Sequence, residues 1–268
     1  MYNLIKNEDF EYITFPILSK YDELLHCFTT RKGGVSEGPY ESMNLGLGSG
    51  DDRRKVRKNY EILAEKLDID LDSMIKPYQS HTSNIKYVGE KDRKKTFLKP
   101  DKLMDVDGLI TDKRNVALIT IHADCTPIFF YDPTKKVIGM AHAGWRGTVD
   151  NIAGKMVNEL LDTMDSKPED IKVAIGPSLG QSCFEVDKDV ADIFLEKDKK
   201  FEEFMIKKGI KYHFDLWEIN KYLLMSKGIK EENIEVSGLC TKCRNDLFFS
   251  HRGQKGKRGL MAGLIMLR

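Results

Sequence analysis

Short runs of consecutive apolar residues alternate with stretches in which apolar residues recur at helical spacing. The runs are typical of buried strands and the spaced stretches of amphipathic helices. Strands are predicted over 24–29, 116–121, 137–140, 171–175, 234–236 and 260–267. Helices are predicted over 53–67, 147–164, 187–195 and 215–227, with Asp51-Asp52 capping the first and Gly228 closing the last. Because the elements follow no regular βαβ order, the pattern favours an α+β fold, one domain over residues 1–268 with mixed β-sheets flanked by helices.

A turn signal, Asp132-Pro133-Thr134, lies between the runs 116–121 and 137–140. Folding the segment as a hairpin about this turn places Cys125 opposite His142, because the two are equally distant from its centre. Directly opposed residues in a hairpin have Cβ atoms about 4.5–5.5 Å apart. The hairpin therefore predicts a thiol and an imidazole close enough to share one metal ion.

His81 is the best candidate for a third ligand, because it lies between the strand-like segments 74–79 and 85–88. Two histidines and one cysteine, with no obvious fourth ligand, are typical of a catalytic rather than a structural zinc site. Two other interpretations fit the same residues. Cys125 is also consistent with a small buried hydrophobe beside a packed His142, or with a nucleophile activated by that histidine.

Composition and charge exclude several other classes of protein. The 268 residues are 41% hydrophobic and 32% charged, as in ordinary globular proteins, and the net charge of +1 argues against general attraction to nucleic acid or anionic membranes. The five cysteines are an odd number and indicate reduced thiols. The sequence shows neither a signal peptide nor an apolar stretch long enough to span a bilayer, so we expect a cytoplasmic protein. The Lys- and Asp-rich segment 91–102 is predicted to be a solvated loop.

Three strings of the sequence resemble the metal-ligand segments of the YfiH-like family. They are Gln79-Ser80-His81, Ala123-Asp124-Cys125 and the heptapeptide Ala-His-Ala-Gly-Trp-Arg-Gly over 141–147. Further matches cover nearly the whole chain, at 29–36, 44–46, 174–177, 183–186, 240–241, 248–252 and 256–258. The chain departs from the family at Ser178, where many members have cysteine, and at His251, where an aromatic residue is usual.

Members of this family have been called polyphenol oxidases, or multicopper laccases, and later purine nucleoside phosphorylases. The resemblance implies a YfiH-like fold and a zinc ion, or alternatively copper, held by His81, Cys125 and His142. It also implies that the substrates are small molecules, a nucleoside and orthophosphate. The expected reactions are phosphorolysis of adenosine, inosine, guanosine and methylthioadenosine, together with deamination of adenosine.

Phosphorolysis requires a fixed cation for phosphate, and arginine binds phosphate through two parallel hydrogen bonds. Arg146 is the first candidate as a catalytic residue, because Gly144 and Gly147 permit close backbone approach. Further substrate-binding candidates in the matching segments are Arg31, Asn44, Gln79, Ser250, Arg252 and Arg258.

Deamination requires a proton carrier beside a zinc-activated water, and nucleobase deaminases use a glutamate in a His-x-Glu motif that this sequence lacks. Asp124, next to Cys125, is the catalytic candidate for that role, and a structural carboxylate at a strand end is the alternative. Trp145 is suited either to stacking on a purine or to filling the core.

Three rival functions fit less well. A copper-dependent polyphenol oxidase needs several coppers, which the six histidines of the chain cannot easily ligate beside Cys125. Some bacterial members are linked to editing of peptidoglycan precursors, and a metal-binding regulator with little turnover is the third alternative.

Cys240 and Cys243 have the spacing of a redox motif, but without a thioredoxin-like βαβ context.

Overall fold

The computed structural model describes residues 1–93 and 103–268 and contains two six-stranded β-sheets that face each other. In spatial order, the first sheet contains β1 (Asn3–Asn7), β2 (Phe10–Thr14), β3 (Leu24–Thr29), β15 (Met261–Leu267), β7 (Ala117–His122) and β4 (Met74–Ile75). The second contains β14 (Ile234–Val236), β10 (Lys172–Ile175), β8 (Thr126–Asp132), β9 (Val137–Ala143), β6 (Gly108–Thr111) and β5 (Ile85–Tyr87). A small third sheet is formed by β11 (Glu185–Val186), β13 (Lys211–Phe214) and β12 (Met205–Lys208). Both large sheets mix parallel and antiparallel pairs.

The α-helices lie on the outer faces of the large sheets or in the loops. They are α1 (Pro16–Ser19), α2 (Arg53–Leu67), α3 (Trp145–Val149), α4 (Ile152–Met164), α5 (Lys188–Lys197) and α6 (Leu216–Met225). Short 3₁₀ helices cover Gly38–Tyr40, Leu71–Ser73, Glu90–Asp92, Lys199–Phe204 and Glu231–Asn233. Among the described residues, no helix is both long enough and apolar enough to cross a membrane.

Helix α2 has the predicted bounds, and its first turn is capped by the Asp52 carboxylate, which accepts a hydrogen bond from the Arg54 amide at 2.8 Å. The single helix predicted over 147–164 is wrong. Asn151 adopts a left-handed backbone with φ of 60°, which ends α3, and its side chain accepts from the Gly154 amide to begin α4. Residues 94–102 of the predicted solvated loop lie outside the described residues.

The central strands are buried on both faces, which explains their uninterrupted apolar runs. In β8 and β9, Phe129 and Met140 contribute to the core between the two sheets, whereas their neighbours Ile128 and Ala141 face α4. On the other side, α2 packs against the outer face of the first sheet. The layers are therefore helix, sheet, sheet and helix, and this mixed α+β architecture confirms the predicted fold class. The domain bounds of 1 and 268 stay a prediction.

The two large sheets are connected at one rim of the core between them. Strand β7 ends at His122 in the first sheet, and β8 begins at Thr126 in the second. The three residues between them, Ala123 to Cys125, carry the chain across this rim. Strand β9 ends at the same rim, because it runs antiparallel to β8.

Candidate metal centre and cavity

His81, Cys125 and His142 converge at this rim. Each offers one ligand atom, and these atoms all lie within 4.8 Å of one another. Cys125 lies in the crossover between the sheets, His142 is the next-to-last residue of β9, and His81 lies in the loop between β4 and β5. Since alternate residues of a strand share a face, His142 points to the same side as Met140, towards the core between the sheets. The fold thus brings together the three ligands that the sequence predicted.

The predicted strand register is wrong by two residues. His142 pairs with Pro127, and Thr126 pairs with Ala143, so Cys125 is diagonal to His142 rather than directly opposite. The turn is centred later than predicted, because β8 continues to Asp132 and the chain reverses over residues 133–136. An offset of two residues keeps both side chains on one face, so the thiol and the imidazole still meet.

The buried carboxylate of Asp107 orients His142. Its Oδ1 lies 2.7 Å from Nδ1 of His142, and the Asp107 backbone carbonyl accepts from the His142 amide at 2.8 Å. Nδ1 is therefore the nitrogen engaged by Asp107, which leaves Nε2 for a metal. Carboxylates commonly hold metal-binding histidines in this way.

The same carboxylate shapes the loop that carries His81. Oδ1 also accepts from the His81 amide at 3.2 Å, while Oδ2 accepts from the amides of Ser80 and Thr82 at 3.2 and 2.9 Å and from the Thr82 hydroxyl at 2.9 Å. Burial raises the pKa of Asp107, but the bonds from His142 and Thr82 outweigh it and lower the pKa. Sequence reasoning missed Asp107, which precedes the run 108–111 and has no distinctive spacing from the ligands.

The thiol of Cys125 and the imidazole of His142 shift each other's pKa. Burial raises the pKa of Cys125, but His142 and His81 lower it to about 6. Burial conversely lowers the pKa of His142, whereas Cys125 and Asp107 raise it to about 9. A stabilised thiolate beside two imidazoles, one of them oriented by a carboxylate, is a donor set that fits zinc.

Gly144 leaves room for the ligands. A Cβ atom at this position would lie 2.8 Å from Cδ2 of His81 and 3.3 Å from the Cys125 sulfur. Any other residue would therefore displace the ligands, which explains the glycine in the matching heptapeptide.

His122 is a further buried histidine, with its ring centroid 5.1 Å from that of His142. Its Nε2 lies 2.8 Å from the Thr120 hydroxyl, and its Nδ1 lies 3.1 Å from the Cys125 carbonyl oxygen. Burial, followed by the charge of His142, holds its pKa well below the usual range. Because both ring nitrogens already contact the protein, His122 supports the site and is not one of its metal ligands.

A cavity of about 430 Å³ opens onto the three ligands. Its other polar or aromatic lining residues include Ser49, Arg53, Lys76, Tyr78, Gln79 and Arg258. The Nε of Arg258 is buried and has no hydrogen-bond partner among the described residues. A buried donor of a charged group normally has an acceptor, so this one indicates an anionic ligand. A second cavity, of about 440 Å³, lies beside Asp68, Asp70 and Arg268, and its described lining contains no histidine or cysteine.

Comparison with known proteins identifies the family of this chain. The family model for "Multi-copper polyphenol oxidoreductase laccase" matches residues 25–268. The chain belongs to this family. Among its relatives, the purine nucleoside phosphorylase YlmD of Bacillus subtilis (strain 168) is 40% identical over 249 residues, which are 92% of this chain and 89% of that protein. The adenosine deaminase RL5 of an unknown prokaryotic organism is 31% identical over 238 residues, 87% of this chain and 90% of that one.

Solved structures lead to the same family. The crystal structure of the hypothetical protein YfiH of Bacillus licheniformis has a TM-score of 0.91 to this chain at 36% identity, and covers 100% of this chain and 99% of its own. The YfiH-like resemblance and its fold are therefore confirmed.

Two of the predicted substrate-binding residues, Gln79 and Asn44, shape the cavity. The side chain of Gln79 donates to the Ile121 carbonyl at 2.9 Å and accepts from the Ile121 amide at 2.8 Å. Asn44 is fully buried, and its Oδ1 accepts from the amides of Gly46 and Leu260, each at 2.9 Å. Gly46 and Leu260 themselves line the cavity, so Asn44 shapes it from behind.

Three of the predicted arginines, Arg31, Arg146 and Arg252, are not among the described residues that line the cavity. Arg31 donates to the Glu41 carbonyl at 2.9 Å, and its guanidinium lies over the ring of Phe249 at 4.7 Å. Arg146 is exposed, and its guanidinium lies 4.1 Å from the ring centre of Trp145. Of the candidate arginines, the structure places Arg258 at the cavity.

The remaining predicted residues form a support beneath Cys125. Asp124 has a φ of 85°, and its two carboxylate oxygens accept from the Thr241 hydroxyl and from the Arg252 amide, each at 2.7 Å. The Arg252 guanidinium donates to the Glu185 carbonyl at 3.0 Å, and the Ser250 hydroxyl accepts from the Gly253 amide at 2.9 Å. None of these side chains is among the described cavity lining.

Proposed function

We propose that this chain is a zinc-dependent purine nucleoside phosphorylase that also deaminates adenosine. The observation that carries the proposal is the convergence of His81, Cys125 and His142 on one cavity with the Nε of Arg258, which has no partner in the described part of the chain. The names of its relatives, a purine nucleoside phosphorylase and an adenosine deaminase, support both activities. The proposed substrates are adenosine, inosine, guanosine and methylthioadenosine.

Zinc, when bound, supplies a Lewis acid with an open coordination position and activates water near neutral pH. The chain supplies the rest. Asp107 holds His142 and the His81 loop, so that the donors are oriented before the metal arrives. In phosphorolysis, orthophosphate attacks C1′ of the ribose and the purine leaves with the electrons of the glycosidic bond.

Arg258 is the residue to which we assign phosphate binding. Its buried Nε offers an unused donor, and Arg53 and Lys76 add positive charge to the lining of the same cavity. A planar guanidinium is suited to two oxygens of phosphate. The assignment replaces Arg146, the first choice from the sequence, because Arg146 is not among the described residues of the lining.

For Asp124 we propose a positioning role. Both of its oxygens already accept short hydrogen bonds, from Thr241 and from the Arg252 amide. These bonds hold the crossover from which Cys125 projects. The sequence also offers Asp124 as a proton shuttle. A shuttle needs a carboxylate oxygen that is free to take up a proton, and these two hydrogen bonds do not favour that role.

A copper-dependent polyphenol oxidase is the second candidate, because the family description names one. That chemistry needs several coppers close together. Among residues 1–93 and 103–268, the groups of three or more metal-binding side chains are the His81–Cys125–His142 set and one all-cysteine cluster. The donors therefore favour a single metal ion at the cavity, and we place the oxidase second.

The test is a product analysis with adenosine, with and without phosphate, on protein whose metal content has been measured. Without phosphate we expect inosine and no free base. With phosphate we expect ribose 1-phosphate and a purine base. Intact adenosine under both conditions, with zinc present, would contradict the proposal, and turnover of a wrongly built muramyl precursor instead would favour peptidoglycan editing.

Cys125→Ala tests the ligand assignment. This variant loses about one zinc per chain and most of both activities, because two histidines alone make a weak site. Cys27→Ala is the matched control, since Cys27 is a buried cysteine packed in the core beside α2. Unchanged zinc content in Cys125→Ala would refute the assignment.

A further inference from the structure

A second group of metal-binding side chains lies outside the cavity, formed by Cys183, Cys240 and Cys243. Their sulfur atoms all lie within 4.8 Å of one another, and those of Cys183 and Cys243 are 3.5 Å apart. Three of the five cysteines of the chain therefore meet at one point. We call this group the cysteine cluster.

The backbone sets the positions of these thiols. Cys183 lies in the loop between β10 and β11, and the other two follow β14. The two segments are cross-bonded, because the Ser178 amide donates to the Leu239 carbonyl at 3.2 Å and the Thr241 amide donates to the Ser178 carbonyl at 3.0 Å. The sulfur atoms are thus brought together by a bonded framework and not by flexible side chains alone.

Two backbone amides, those of Gly180 and Cys243, donate hydrogen bonds to the Cys240 sulfur. The metal-binding form of cysteine is the thiolate, and amide donors of this kind stabilise it.

The sulfur separations fit a metal better than a disulfide. Zinc–sulfur bonds of about 2.3 Å in a tetrahedron place sulfur atoms about 3.8 Å apart. The 3.5 Å between Cys183 and Cys243 is close to that value and well beyond the roughly 2.05 Å of a disulfide bond. In addition, a disulfide would leave the third thiol of the group without a role.

We propose that Cys183, Cys240 and Cys243 form a second metal site that holds a zinc ion. All three donors are sulfur, which selects a thiophilic cation. Cys243 is exposed, so a metal ion would reach the site from solvent.

This second site stabilises the region beneath the candidate active site. Thr241 lies between two of its ligands in sequence, and its hydroxyl donates to Asp124, the neighbour of Cys125. The Leu179 amide, on the loop that carries Cys183, donates to the Asp124 carbonyl at 3.0 Å. A zinc ion that joins the two loops therefore fixes both supports of Asp124.

The test is the zinc content of the purified protein and of single variants. We expect about two zinc ions per chain in the unmodified protein and about one in Cys183→Ser and in Cys243→Ser, because each loses one of three thiolates. Cys125→Ala also retains about one, at the cysteine cluster, and its combination with Cys243→Ser retains almost none. Cys27→Ala keeps both ions, because that cysteine belongs to neither site.

A second measurement needs no variant and stays informative if a serine variant fails to fold. Alkylation with mass spectrometry should show Cys183, Cys240 and Cys243 protected in the protein as purified and modified after treatment with a zinc chelator. Unchanged zinc content in Cys243→Ser, alkylation of the three thiols without chelator, or a disulfide between two of them would each overturn the proposal. Because zinc content and alkylation are independent of nucleoside turnover, these results are separate from the test of the proposed function.

Discussion

The two groups of metal-binding side chains share cysteine as a donor but differ in their other donors and in their surroundings. The group at the cavity combines two histidines with Cys125 at the rim of the core between the sheets. The cysteine cluster uses sulfur alone and lies on two cross-bonded loops, and its residues are not among the described lining of the cavity. The comparison leads to the prediction that the neighbours of a cysteine, more than the cysteine itself, determine what a bound metal does.

The neighbours differ in kind. At the cavity, a buried carboxylate orients one histidine and the loop of the other, and the buried Nε of Arg258 has no partner among the described residues. At the cysteine cluster, the backbone amides of Gly180 and Cys243 donate to the Cys240 sulfur. The first arrangement leaves room for a substrate beside oriented ligands, whereas the second holds two loops together. Substitutions that remove these neighbours, while leaving the ligands, therefore test the comparison directly.

Asp107→Asn should have the largest effect. An asparagine can still accept from His142 through its oxygen, but its amide then faces the amides of Ser80 and Thr82, so donors oppose donors. We expect the zinc affinity at the cavity, and both activities with it, to fall about 10- to 100-fold, as for other residues that orient metal ligands. Competition with a zinc chelator measures the affinity.

The matched control for this prediction is Asp112→Asn. Asp112 directly follows β6 and is exposed, and its carboxylate accepts from the Tyr87 hydroxyl at 2.6 Å. The zinc affinity of the control should equal that of the unmodified protein, and alkylation of the cysteine cluster should be unchanged in both variants. Equal zinc affinities at the cavity for Asp107→Asn and Asp112→Asn would show that the Asp107 carboxylate does not determine how the cavity group binds its metal.

Arg258→Lys should have a smaller effect, confined to phosphate. An ammonium cannot reproduce the planar donor fork, and the loss of one charge-assisted hydrogen bond costs about 1.5 kcal/mol. We expect the KM for phosphate to rise about tenfold. The zinc content and the deamination without phosphate should stay unchanged.

The same substitution at two other arginines makes this test specific. Arg146→Lys changes the residue that the sequence favoured, and Arg114→Lys changes an exposed arginine as a control. If the KM for phosphate rises more in Arg146→Lys than in Arg258→Lys, Arg146 and not Arg258 binds the phosphate.

The sequence predicts that the three side chains meet because Cys125 and His142 lie at the ends of apolar runs and all three lie in strings that match the family. Both faces of β9 are buried, so its run of apolar residues predicts the strand. Strand β8 is equally buried, but the sequence predicts it only as the partner of β9 in the hairpin. The register is less evident, because it depends on where the chain reverses. A shift of that point from Pro133 towards Lys136 moved the partner of His142 to Pro127.

Contacts between distant segments explain what the sequence could not predict. Asp107 meets His142 only because β6 pairs with β9, and an isolated acidic residue gives no indication of that partner. Cys183 is separated by 57 positions from Cys240, so the sequence does not predict that they meet. Cys240 and Cys243 alone have a Cys-x-x-Cys spacing, which suggests a redox motif instead. The break at Asn151 was missed because its neighbours have helical spacing, although asparagine tolerates a left-handed backbone well.

The smallest effect is expected at the contact between the two regions, where the Thr241 hydroxyl donates to Asp124. Thr241→Val removes this bond without changing Asp124. In Asp124→Asn, the side-chain oxygen can accept from the Arg252 amide while its NH₂ donates to the Thr241 oxygen, and asparagine tolerates the φ of 85°. Each variant should therefore lose only about 1 kcal/mol of unfolding free energy, measured by urea denaturation.

If Asp124 is a positioning residue, deamination at matched zinc content falls to a similar, small extent in both. Loss of deamination in Asp124→Asn alone would instead make Asp124 the proton carrier, and the two metal groups would then meet at a catalytic residue.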